Sequence, residues 1–263
     1  MSGLRRGKKT IVHEVSHRQA PAGDGIAIAY TLWRRPAREL LLLAPGFWRV
    51  RLARENLFLA HHFLRRGYDV AALDFRGHGD SGGGYAFGAS EHRDFVAVIE
   101  ELVGSDRLYD RFAVIGLSMG GSIAAQALAA RPDLPCRGLA MISSPDDLAA
   151  LRPKPWKAGA LRQVRLRHAL RVPKIQARGL ASRKPRASDA VASLAIPKLI
   201  VTSEGDWLVD PSHGRALAEA AAAPVDYVHL ELPGALHADS LVKFVPVKLL
   251  RLLDRWLDEH APP

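Results

Sequence analysis

The chain has 263 residues, enough for one large α/β domain. With 48% hydrophobic and 24% charged residues it reads as a globular protein with a real core, and no apolar run is long enough to cross a bilayer. The formal net charge is +10 and is unevenly spread, because twelve basic residues stand against three acidic ones between residues 146 and 190 while the rest is near balance.

In chain order, residues 1–9 form a basic tail, with no apolar segment behind it of the kind a secretory signal requires. Residues 10–17 and 26–33 carry strand-like patterns, separated by the turn-forming Pro21-Ala22-Gly23-Asp24-Gly25, and predict an opening hairpin. Residues 40–44 are wholly apolar and stopped by Pro45-Gly46, as in a strand buried on both faces. A helix is expected over 53–66, a strand over 69–75, a helix over 90–103 with Glu91 in its first turn, and a strand over 111–117. An alanine-rich helix follows Ser118, then a buried strand over 137–142. Beyond the basic segment come a strand over 198–202, a helix over 211–223 opened by Asp210 and Pro211, a strand over 225–232 and a closing helix over 239–257. Strands alternating with helices predict a mostly parallel sheet covered on both faces. The single cysteine, Cys136, cannot form an internal disulfide, which fits a reducing, cytoplasmic setting.

The chemistry centres on Gly116-Leu117-Ser118-Met119-Gly120, between the strand and the alanine-rich helix. A sharp strand-to-helix turn lifts a serine hydroxyl clear of the sheet, and glycines on either side remove side chains that would clash there. The N–H of Met119, at a helix start, can then face an oxyanion. A serine nucleophile needs a base, and the base an acid to orient it. His237 follows the last strand, whereas its rivals His61, His62 and His78 do not. Asp206 ends the strand before it and is preferred as the acid to Asp210, explained as a helix cap, and to Asp146 and Asp147. All three preferred residues lie at carboxyl ends of strands, where open α/β sheets build their sites. Phe47, in Pro45-Gly46-Phe47-Trp48, is the candidate second oxyanion donor, and Trp48 and Trp207 are candidate pocket walls. The glycine-rich stretch 74–84 is given a structural role, with Arg76 and His78 not catalytic. No His, Cys and Asp spacing suits zinc, so neither metal nor cofactor is expected.

Four motifs in this order, D-F-R-G-H-G-D-S over 74–81, G-L-S-M-G over 116–120, S-E-G-D-W-L-V-D over 203–210 and P-G-A-L-H-A-D over 233–239, resemble the α/β-hydrolase superfamily and its serine esterase, thioesterase and monoacylglycerol-lipase-like branch. The resemblance covers most of residues 25–260 outside the basic segment. It implies an eight-stranded sheet with a short basic insert, the core being residues 1–145 and 197–263 and the insert 146–196. It also implies a Ser118–His237–Asp206 triad with an oxyanion hole of the Phe47 and Met119 amides. Ala235-Leu236 stands before His237 where the family often has a second glycine.

The expected activity is hydrolysis of a carboxylic ester or thioester of a small acyl substrate. Serine peptidase, amidase or C–C hydrolase chemistry on the same triad stands as an alternative, as does a silent binding protein with a basic insert. That insert interleaves its cations with Trp156, Leu161, Val164, Leu166, Leu170, Val172 and Ile175, and one or two short helices are expected in it. Its recruiting partners would be an acyl carrier or an anionic membrane surface, giving a cytoplasmic protein with peripheral membrane association. Nucleic acid is disfavoured, because no module for it is visible. Oligomeric state is not legible.

Overall fold

A computed structural model describes residues 14–104, 107–151, 174–176, 179, 184–232, 234 and 236–263. Eight strands form one sheet: β1 (Glu14–Pro21), β2 (Ala27–Arg34), β3 (Leu40–Ala44), β4 (Asp69–Leu73), β5 (Phe112–Leu117), β6 (Cys136–Ile142), β7 (Lys198–Ser203) and β8 (Val225–Leu230). Their order across the sheet is β1-β2-β4-β3-β5-β6-β7-β8. Pairing is antiparallel from β1 to β2 and from β2 to β4, and parallel throughout the rest. This is the α/β-hydrolase arrangement that the motifs implied. Residues 40–44 pair on both sides, and every side chain in them is buried. Each such leucine contributes about 1.5–3 kcal/mol by leaving water.

Two departures from the sequence reading have physical causes. The first strand is β1, Glu14–Pro21, later than the expected 10–17, of which 10–13 lie outside the described residues. Only Ala20 of β1 is fully buried, so its place is set by pairing from Glu14↔Arg34 to Pro21↔Ala27 rather than by hydropathy. The closing helix is two helices, α6 (Ala238–Phe244) and α7 (Pro246–His260), with Val245 at φ −130° and ψ 44° between them. Pro246 has no N–H to donate backwards and disfavours helix at the residue before it, which accounts for the break at Val245.

The other helices are α1 (Arg54–Arg66), α2 (His92–Leu102), α3 (Met119–Ala130), α4 (Ala187–Ser193) and α5 (Pro211–Ala220). On one face of the sheet Phe95 of α2, Ile123 of α3, Val191 of α4 and Leu217 of α5 share a buried cluster with Leu42 and Val114. On the other, Phe63 of α1, Leu241 of α6 and Leu253 of α7 pack with Leu41 and Ile115. Glu91 stands at the position just before α2 with no side-chain bond to the helix, and its carboxylate instead accepts the N–H of Gly88, in the preceding loop, at 2.8 Å. α4 lies within the stretch assigned to the insert, while Trp156, Leu161, Val164, Leu166, Leu170 and Val172 lie outside the described residues. Among the described residues no helix is long and apolar enough to cross a membrane.

Candidate active site

Ser118 sits between β5 and α3 with φ 52° and ψ −126°, a backbone state that costs a non-glycine residue about 1–3 kcal/mol. The strain is held by close backbone packing. A Cβ at Gly116 would stand 2.3 Å from Gly121 Cα, and one at Gly120 would stand 2.1 Å from the Ala44 carbonyl oxygen. Strand, helix and the loop after β3 can converge only because both side chains are hydrogen. The N–H of Ser118 donates to the Ile142 carbonyl at 2.8 Å, which ties the turn to β6.

Ser118, Asp206 and His237 are all buried, and the fold brings them together from three loops. His237 Nε2 is 2.9 Å from Ser118 Oγ, and His237 Nδ1 is 3.0 and 2.9 Å from the two Asp206 oxygens. With Nδ1–H donating to Asp206, Nε2 is left to accept the serine proton. Asp206 is itself fixed, since its Oδ1 accepts the N–H groups of Leu208 at 2.9 Å and Val209 at 3.0 Å. His237 is the residue from which α6 starts, so the helix anchors it from behind. Pro233 and Ala235, in the loop before it, lie outside the described residues.

The rival acids and bases have other work. Asp210 accepts the Ser212 N–H at 3.0 Å as the cap of α5. Asp146 accepts the Ser188 N–H at 2.8 Å and pairs with Arg186 at the start of α4. His62 pairs with Asp254 at 2.7 Å. Asp239 pairs with Arg49 from the first turn of α6, and Arg49 also meets Glu55 at 3.0 Å.

The stretch 74–84 is the scaffold expected of it. Arg76 is buried, and it donates to Asp94 at 2.6 and 2.8 Å and to Asp24 at 2.7 and 3.3 Å. Removing one partner from such a buried pair costs about 3–5 kcal/mol. Burial pushes the His78 imidazole below its usual range. The neutral ring lies with Nδ1 at 3.1 Å from the Arg76 carbonyl and Nε2 at 3.3 Å from the Trp48 N–H. Nδ1–H therefore donates to the carbonyl, and Nε2 accepts from Trp48, which is held at φ 59°.

A cavity of about 380 Å³ opens over Ser118 and His237. Phe47, Trp48, Trp207 and Met119, named from the sequence, all line it. A Cβ at Gly46 would stand 3.2 Å from Ser118 Cβ, so the Phe47 loop runs directly beside the serine. Tyr85, Phe87, Leu148 and Leu151 also line the cavity and were not foreseen. Their signal, isolated apolar residues after glycine-rich or Asp-rich loops, is too weak to read without the fold. A larger, more open groove of about 560 Å³ between β8 and α7 contains none of the site residues. Among the described residues no three His, Cys, Asp or Glu side chains gather as a metal would need.

A family profile described as serine aminopeptidase, S33, matches residues 35–190, more than half of the chain. No curated protein matches the chain in sequence. Among solved structures, an esterase of Pyrococcus furiosus superposes with a TM-score of 0.74 at 18% identity, covering 99% of this chain and 96% of that one. An esterase from a Rhodococcus species gives 0.70 at 19% identity over 94% and 100% of the two chains. A hydrolase of Pseudomonas aeruginosa gives 0.68 at 22% identity over 92% and 98%.

Proposed function

Since the chain belongs to the family of α/β-hydrolases described as serine aminopeptidase, S33, and is a serine hydrolase, we propose that it cleaves a carboxylic ester or thioester through a Ser118–His237–Asp206 triad. The observation that carries this reading is the 2.9 Å contact of His237 Nε2 with Ser118 Oγ, with Asp206 behind the imidazole. Ser118 Oγ attacks the carbonyl carbon and gives its proton to His237 Nε2. The developing oxyanion is met by the N–H groups of Phe47 and Met119. The tetrahedral adduct then expels the alcohol or thiol, which takes the proton from His237. Water, deprotonated by the same imidazole, releases the acid from the acyl-enzyme. Asp206 orients the imidazole and steadies the imidazolium without taking its proton.

Ester chemistry draws support from the esterases of like fold and from a cavity walled by Phe47, Trp48, Tyr85 and Phe87. The basic insert, residues 146–196, is assigned recruitment of anionic acyl material at a membrane surface. The family description names a peptidase, so the test carries an amide arm. Wild-type protein and Ser118→Ala are assayed on p-nitrophenyl esters from acetate to decanoate and on aminoacyl p-nitroanilides. We expect ester turnover that falls by at least about 10³-fold in the variant. Turnover of anilides alone moves the reading to a peptidase, and equal activity in both proteins removes Ser118 as nucleophile.

A further inference from the structure

Tyr85 meets four separate parts of the molecule. It follows three consecutive glycines, is 2% exposed, and is used by none of the steps above. Its ring stacks on Phe47, with centroids 4.8 Å apart and planes at 27°. Its edge meets His78 at 5.1 Å and 86°. Its hydroxyl donates to Met119 Sδ at 2.7 Å. Burial pushes that hydroxyl well above the usual tyrosine range, so it keeps its proton and stays a donor. The main chain is held as firmly. The Tyr85 N–H donates to the Lys174 carbonyl at 2.6 Å, and its carbonyl accepts the Gln176 N–H at 2.9 Å. A parallel bridge to Ile175 results, so the described residues 174–176 of the insert hold the Tyr85 main chain.

The Tyr85 ring also lies 4.6 Å from that of Phe87, but two of the side chains it touches, Phe47 and Met119, belong to the two residues proposed to supply the oxyanion N–H groups. Phe47 comes from the loop after β3 and Met119 from the start of α3. Resting on the triad reading above, we propose that Tyr85 is the positioning residue of the oxyanion hole. It spans the two donors and fixes the distance between them without touching the reacting oxygen. Oxyanion donors act at about 2.7–3.1 Å from the charge they stabilise, and losing one costs about 10²–10³ in kcat. An aromatic face and a thioether are soft, weakly directional surfaces. One rigid ring clamped at its backbone gives both of them a fixed reference. An ordinary wall residue would bear on acyl binding, whereas a spacer bears on the transition state.

Wild type, Tyr85→Phe and Tyr85→Leu are compared on p-nitrophenyl acetate through octanoate, and by the rate at which a fluorophosphonate labels Ser118. Tyr85→Phe keeps the stack on Phe47 and loses only the contact with sulfur, so it also serves if Tyr85→Leu does not fold. We expect kcat to fall about 30-fold or more in Tyr85→Leu, with KM within about threefold at every chain length, acetate included. Labelling should slow in parallel, and Tyr85→Phe, which keeps one of the two contacts, should fall between wild type and Tyr85→Leu in both readouts. A KM that rises with chain length at unchanged kcat would overturn the proposal and make Tyr85 a wall. So would wild-type labelling rates in both variants. Wild-type protein that neither turns over esters nor labels fails the hydrolase reading first, and this proposal with it.

Discussion

At the scale of single residues, buried groups outside the triad hold the loops beside the candidate site. His78 is the clearest, since its ring must be neutral for Nε2 to accept the Trp48 N–H. Burial lowers its pKa in the folded protein below the 6.5 of the free side chain. As pH falls through 6.5, the unfolded chain takes up the proton first, and stability declines until the folded value is reached. Above 6.5 the contribution is complete. His78→Gln retains an acceptor and cannot titrate. Melting temperatures measured from pH 7.5 to pH 5 should therefore fall less steeply in this variant than in wild type. Part of the slope will persist, because burial also lowers the pKa of His92. Equal slopes in the two proteins would acquit His78. Asp206 and His237 were legible because each stands in a motif at the end of a strand, and their local sequence fixes where they sit. Tyr85 and the Arg49–Asp239 pair were not, since partners 34 and 190 residues apart leave no local pattern.

At the scale of elements, the packing around the serine turn leaves no room for a side chain at Gly116 or Gly120. Gly120 faces the Ala44 and Pro45 carbonyl oxygens, at 2.1 and 2.5 Å from where a Cβ would be. Backbone cannot yield as a flexible side chain would. Gly120→Ala should cost about 3 kcal/mol by overpacking, read as a lower melting temperature. It should also lower kcat, because the Phe47 loop is the part pushed away. A variant with unchanged melting and turnover would mean that the loop moves freely. Elements were readable where composition alone decides them. Residues 40–44 are buried on both faces and bounded by Pro45-Gly46, so the strand and its end are both written locally. β1 has a mostly exposed face and takes its limits from its partner, and the break at Val245 answers to Pro246 in a stretch otherwise amphipathic throughout.

At the scale of the whole molecule, charge is the property that fold does not explain. The net charge of +10 lies mostly between residues 146 and 190, apart from the balanced sheet and its helices. A cationic segment attracts anionic lipid by about 1 kcal/mol for each basic residue at the surface, and salt screens that attraction. The protein should sediment with vesicles containing phosphatidylglycerol and not with phosphatidylcholine alone, and about 0.5 M salt should release it. Equal binding to both kinds of vesicle, or none at low salt, removes recruitment from the account of the insert.

The order of the sheet has a consequence for the integrity of the chain. Ser118 lies before the insert, and Asp206 and His237 lie after it. The two stretches meet where β6 pairs with β7, from Leu139↔Lys198 to Ile142↔Val201. A cut between residues 151 and 184 would leave the proposed nucleophile on one fragment and its proposed base and acid on the other. On the triad reading, neither fragment should hydrolyse an ester alone. Colour released from an ester after the two were mixed would then count reunited sheets, making the enzyme a sensor of its own assembly.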